Sequence, residues 1–192
     1  MVQWTTPLCP PTVNRFEGET PSCSTRRADV MSRLTRLKPD TVVLAGAWEL
    51  YLKAGRSQDE TLRALSQTIR YLRNLGDEKI VVFGPGPLWN TSLSIDLFRF
   101  MARKRLSEIP ERLGRVSDEI WALDAAMAAQ AAAEGVRYVS VVRYFCSESG
   151  CLTIGDRALA RPDLLYRDSN HLTATGSKAL ISHSIPQLLG QN

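Results

Sequence analysis

Asp40-Thr41-Val42-Val43-Leu44-Ala45-Gly46 is a near-continuous apolar run rich in β-branched residues, set between the Pro39 turn and a glycine. A strand that keeps apolar residues at successive positions is covered on both faces, as in a parallel sheet between helices. Working outward, Lys79-Ile80-Val81-Val82-Phe83-Gly84 repeats the pattern and runs into Pro85-Gly86-Pro87, and Val136–Val142 offers a third buried strand. Between the first two lies Gln58–Leu75, with Leu62, Leu65, Ile69 and Leu72 at helical spacing and Gly76 closing it. Between the second and third lies Asp118–Glu134, alanine-rich and ended by Gly135. Strands alternating with helices predict an α/β fold with a parallel sheet, in a single domain over residues 1–192.

The flanking segments read less regularly. Val2–Thr6 is a short strand candidate stopped by Pro7, and Arg26–Leu37 reads as a helix capped by Ser24. Leu97–Leu113 reads as a basic helix interrupted at Pro110, and Leu164–Tyr166 as a short extended piece. Leu172–Leu189 reads as a terminal helix with Thr173 as cap and Pro186 breaking its last turn.

With 44% hydrophobic and 23% charged residues among 192, the composition is that of a globular protein and excludes collagen-like, coiled-coil and wholly disordered classes. No apolar run approaches the roughly 20 residues of a membrane helix. The formal charge of +4 comes from 24 basic against 20 acidic residues, scattered along the chain, which argues against a nucleic-acid partner. Arg99, Arg103, Lys104 and Arg105 do gather on one helix, where a solvated face is the simpler reading and contact with an anionic glycan or lipid headgroup the functional one.

Four cysteines bracket two short loops. Cys9 and Cys23 enclose a Pro/Gly-rich stretch, and Cys146 and Cys151 enclose Ser147-Glu148-Ser149-Gly150. Closed as disulfides, each pair stabilises by about 2–3 kcal/mol through lost loop entropy in the unfolded chain, and implies an oxidising compartment. The alternative is four buried thiols in a reducing one. The stretch beginning Met1-Val2-Gln3-Trp4 has neither the basic nor the apolar region of a secretory signal, so the oxidised reading requires an upstream segment to direct export. No cysteine and histidine spacing matches a zinc site, and no strand ends in a G-x-G-x-x-G loop, so neither a metal nor a dinucleotide cofactor is expected.

Chemistry concentrates in Tyr166-Arg167-Asp168-Ser169-Asn170-His171-Leu172, a loop just before the last helix. An acid three residues before a histidine can bind one imidazole nitrogen, fix the tautomer and leave the other nitrogen to take a proton from a nucleophile. The structural alternative is a turn or capping aspartate beside a surface histidine. Trp48 and Trp89 are candidates for a sugar-binding cleft or, equally, for the core. His183 reads as a surface residue.

The stretch Asp168–Gly176 resembles the last block of SGNH/GDSL hydrolases, D-x-x-H-L followed by a glycine. Thr5 to Pro11 (Thr-x-x-x-Cys-Pro-Pro), Pro39–Ala45 followed by Trp48 and Tyr51, the Gly84–Pro87 turn and the paired late cysteines narrow the resemblance. They point to the SGNH domain attached to acyltransferase-3 membrane proteins, which O-acetylate bacterial surface polysaccharides. The resemblance implies a three-layer, flavodoxin-like fold and acyl transfer or ester hydrolysis on cell-surface glycans. His171 would be the general base, oriented by Asp168. It implies a glycan or acylated small-molecule substrate, a membrane acyltransferase domain as partner and a periplasmic or otherwise extracytoplasmic location. In the family's G-x-N block the asparagine helps bind the oxyanion. The matching residues are Gly46-Ala47-Trp48, so Gly46 and Trp48 mark the oxyanion or substrate region, the usual amide donor is absent and a backbone N–H could take its place. Loss of one such donor costs about 100- to 1000-fold in rate.

The family opens with a strand leading to Gly-Asp-Ser, whose serine is the nucleophile, and no such motif occurs here. Gly76-Asp77 and Gly155-Asp156 are followed by Glu78 and Arg157, and Ser169 stands on the histidine's own segment. The expectation is an N-terminally incomplete domain that lacks its first strand, which is central in the order 2-1-3-4-5. Such a chain would be inactive alone. The rival reading is a non-catalytic SGNH module that binds glycan or docks to a partner protein.

Overall fold

The structure is a computed structural model, and it describes residues 3, 9–16, 19–76, 79–155 and 163–189. The strand candidate Val2–Thr6 lies outside the described residues, apart from Gln3. The chain divides into two compact units, one of Met1–Gly84 with Ala125–Val139 and the other of Pro85–Asp124 with Ser140–Asn192.

The first unit holds the parallel sheet. Strands β1 (Thr41–Leu44), β2 (Lys79–Phe83) and β4 (Arg137–Val139) lie in the order β1-β2-β4, all parallel, with Val42 opposite Ile80 and Val82 opposite Tyr138. The central strand buries Ile80, Val81, Val82 and Phe83, as its apolar sequence requires. Helix α1 (Pro21–Leu37) starts earlier than its sequence suggests, with Thr20 as N-cap and Pro21 in the first turn, where a missing N–H costs nothing. The six-residue α2 (Trp48–Lys53) follows β1. Helix α3 (Gln58–Asn74) is capped by the Ser57 side chain, which accepts the Glu60 N–H at 3.1 Å, and buries Leu65, Ile69 and Leu72 along one stripe. Glu134 is buried and accepts hydrogen bonds from the Ser66 hydroxyl and, at 2.9 Å, from Arg70. Those donors hold its carboxyl below the usual range. Cys9 and Cys23 form a disulfide.

The second unit begins with the Pro85–Ser92 loop and α4 (Leu93–Lys104), whose N-cap Ser92 accepts the Ile95 N–H. The helix therefore starts and ends earlier than the basic pattern predicts. Beyond it, β3 (Arg112–Leu113), β5 (Cys146–Ser147) and β6 (Gly150–Leu152) form an antiparallel sheet in the order β3-β6-β5. Its β5–β6 hairpin is closed by the Cys146–Cys151 disulfide. Helix α5 (Asp118–Ala133) ends one residue before the expected Glu134, and its residues from Ala125 on belong to the first unit. Val141–Val142, read as strand, instead begin the short helix α6 (Val141–Phe145), because the Ser140 hydroxyl accepts the Arg143 N–H at 3.2 Å and also donates to Asp124 at 2.7 Å. The last helix, α7 (Ala174–Leu189), contains Pro186 without ending there.

Candidate functional site

The Asp168–His171 loop is built by main-chain closure. An isolated bridge joins Tyr166 to Leu172, and the Arg167 N–H donates to the His171 carbonyl at 2.8 Å. Behind it, Thr173 is an anchor. Its hydroxyl donates to the Leu164 carbonyl at 2.7 Å and accepts the Gly176 N–H at 3.1 Å, capping α7 as its position predicts. Gly176 sits so close to the Leu165 carbonyl oxygen that a Cβ there would lie 2.2 Å from it. Only glycine lets the helix start at this depth.

Within the loop, Asp168 Oδ1 accepts the backbone N–H groups of Asn170 at 3.0 Å and His171 at 2.8 Å. His171 Nδ1 lies 2.8 Å from Asp168 Oδ2 and 3.0 Å from Oδ1. The backbone N–H of His171 is the largest cause of the carboxyl's low pKa of about 2; partial desolvation opposes it, and the Asn170 N–H and the His171 side chain add to it. A charged carboxylate favours the tautomer with the proton on Nδ1, and in the neutral ring that tautomer carries its lone pair on Nε2. Among the described residues nothing hydrogen-bonds Nε2, and the His171 side chain is 67% exposed. The pair presents a basic nitrogen to the outside.

The loop is also fastened to the segment before α4. The Trp89 N–H donates to the Ser169 carbonyl at 2.9 Å and the Leu93 N–H reaches the Asp168 carbonyl at 3.4 Å. The Trp89 ring meets Tyr166 edge-on at 5.7 Å.

A family described as "SGNH domain (fused to AT3 domains)" matches residues 1–186. The chain belongs to this family. Two solved structures are similar to this SGNH domain in fold. The Salmonella ser. Paratyphi A lipopolysaccharide acetyltransferase periplasmic domain aligns with a TM-score of 0.76 at 23% identity, over 94% of this chain and 68% of that one. A peptidoglycan O-acetylesterase aligns with a TM-score of 0.56 at 14% identity, over 91% of this chain and 45% of that one. No curated protein sequence matches the chain. No helix among the described residues is long and apolar enough to cross a membrane.

The remaining candidates of this SGNH domain separate. Gly46 and Trp48 belong to the first unit, Asp168 and His171 to the second. Trp48 is fully buried and its indole N–H donates to the Phe83 carbonyl at 2.7 Å, so its side chain is a core element and lines no sugar cleft. A Cβ at Gly46 would stand 2.9 Å from Pro11 Cδ and 3.3 Å from the Tyr51 hydroxyl, so the glycine serves a close approach. Trp89 lines a cleft in the second unit. His183 is exposed, in keeping with its reading as a surface residue, and its ring stacks on Tyr144 with centroids 4.4 Å apart. Among the described residues no group of three or more His, Cys, Asp or Glu side chains is arranged to hold a metal ion. The fastening of the loop by Trp89 and Leu93 escaped the sequence reading, because it runs through backbone atoms.

Proposed function

We propose that the chain carries the proton-handling half of an SGNH acyl-transfer site acting on bacterial cell-surface glycans. The carrying observation is the Asp168–His171 pair, with Nδ1 bound to a carboxylate and Nε2 outward. A serine hydroxyl adds to the acyl carbonyl as Nε2 takes its proton; Asp168 stabilises the resulting imidazolium. Nε2 then returns the proton to the departing oxygen. In the second half His171 deprotonates a glycan hydroxyl, giving transfer, or water, giving hydrolysis. Backbone N–H groups serve the oxyanion.

The nucleophilic serine is assigned to a Gly-Asp-Ser segment outside these 192 residues, since the chain contains none. The edge of β1 that ends the described sheet order is where its strand is proposed to pair. Fusion to AT3 domains across the family supports a membrane acyltransferase domain as the acyl supplier. The two disulfides and the periplasmic fold relative support an extracytoplasmic location.

Hydrolysis of p-nitrophenyl acetate tests the reading. The chain alone gives background rates; addition of a strand ending in Gly-Asp-Ser restores hydrolysis, and His171→Ala abolishes it. Robust His171-dependent hydrolysis by the unmodified chain places the nucleophile inside it. Lack of restoration favours the second reading, a non-catalytic module for glycan or partner binding, which rests on the missing Gly-Asp-Ser.

A further inference from the structure

A cleft of about 410 Å³ lies in the second unit, between α4 and the Leu113–Val116 segment. Arg99, Arg103 and Arg115 line it, each exposed, and none has an ion-pair or hydrogen-bond partner among the described residues. The one carboxylate in the lining, Asp96, is engaged by the Thr91 hydroxyl at 2.8 Å. Three guanidinium groups therefore face one committed carboxylate. Phe100 supplies a half-buried apolar wall, and the indole N–H of Trp89, a residue only 7% exposed, has no acceptor among the described residues. Planar cationic forks beside an aromatic surface suit a ligand that is both sugar and acid: the forks pair with carboxylate or phosphate oxygens, and aromatic carbon packs on ring C–H groups. The same loop that bears Trp89 is hydrogen-bonded to the Asp168–Ser169 backbone.

We propose that this cleft is the acceptor subsite and that it selects an acidic glycan, whose carboxylate or phosphate is held by Arg99, Arg103 and Arg115. Its role as acceptor subsite rests on the catalytic reading of Asp168 and His171; the binding of acidic sugar does not.

Isothermal titration of the full chain tests it with four probes: trigalacturonate, glucose 6-phosphate, neutral maltotriose and phosphatidylglycerol vesicles. Binding of trigalacturonate or glucose 6-phosphate, weakening with added salt, is expected, and the tighter of the two tells carboxylate from phosphate recognition. Arg99→Gln with Arg103→Gln weakens binding by about tenfold or more, whereas Arg26→Gln with Arg36→Gln on α1 does not. His171→Ala leaves binding intact, so a failed catalytic reading and a failed binding site give different results. Equal affinity for maltotriose, loss of no affinity in the double Arg variant, or no binding of either acidic sugar overturns the proposal. Arginine-dependent capture by vesicles without sugar binding overturns it in favour of a membrane surface.

Discussion

The backbone N–H of Trp89 donates to the carbonyl of Ser169 across 2.9 Å, tying the approach to α4 to the loop that carries Asp168 and His171. Because both partners are main-chain atoms, this tie uses neither side chain and is lost outright only if proline replaces Trp89. The side chains of Asp168 and His171 can then be tested with the scaffold in place.

Asp168→Asn should change the histidine first. The carboxylate that accepts Nδ1–H is replaced by a group that can present N–H to it, and the tautomer preference is lost. Nitrogen NMR of His171 in the 192-residue chain should show a shift away from the Nδ1–H form. In a serine-complemented protein kcat should fall by about 10,000-fold, the scale of the same substitution in a serine protease. An unchanged tautomer would remove Asp168 from its positioning role.

The same carboxylate makes a signed contribution to acid stability. Its folded pKa of about 2 lies below the ordinary 3.8, so the stabilisation is complete above the ordinary value and disappears as pH falls through the folded one. Urea midpoints between pH 5 and 2 should therefore fall less steeply in Asp168→Asn than in the parent. Parallel curves would contradict the assignment.

Gly176→Ala should destabilise by about 1–3 kcal/mol, since a Cβ 2.2 Å from the Leu165 carbonyl oxygen forces α7 to move. Serine complementation of this variant should also recover less activity, because Thr173 and the loop before it shift with the helix. A normal midpoint in chemical denaturation would show that the helix start yields without cost.

The two disulfides should differ in worth. Cys9–Cys23 closes a sequence separation of 14 and Cys146–Cys151 one of 5, which gives about 3 and about 2 kcal/mol in the loop-entropy account. Paired Cys→Ser replacements compared by denaturation under oxidising conditions check the order. A larger loss from the shorter loop would mean that packing of the β5–β6 hairpin, not chain entropy, sets the difference.

The parts of this protein that its sequence announces are those governed by a repeating period or a capping residue. The runs at 41–44 and 79–83 declare parallel strands, buried from 80 to 83 as read but alternating in β1, where Val43 is exposed; Leu65, Ile69 and Leu72 declare α3. Thr173 is legible as a cap because its hydroxyl stands three residues before an unpaired helical N–H. The misreadings have local causes. Val141 and Val142 carry the chemistry of a strand, and only the Ser140 cap turns them into a helix. Strands β3 and β5 have two residues each, too short for any alternation to show. The Asp168–His171 pair was readable because both partners lie within one loop. Trp48 was ambiguous because an indole has the same sequence signature whether it meets a sugar or, as here, a carbonyl in the core.

The closure of Arg167 onto the His171 carbonyl makes the Asp168–His171 loop a ring of fixed circumference. One residue added between positions 167 and 171 would pull the imidazole off its carboxylate and unseat the bridge from Tyr166 to Leu172 at the same time. Insertions at those five positions are therefore expected to disrupt the loop, and engineered linkers have to enter elsewhere in the chain.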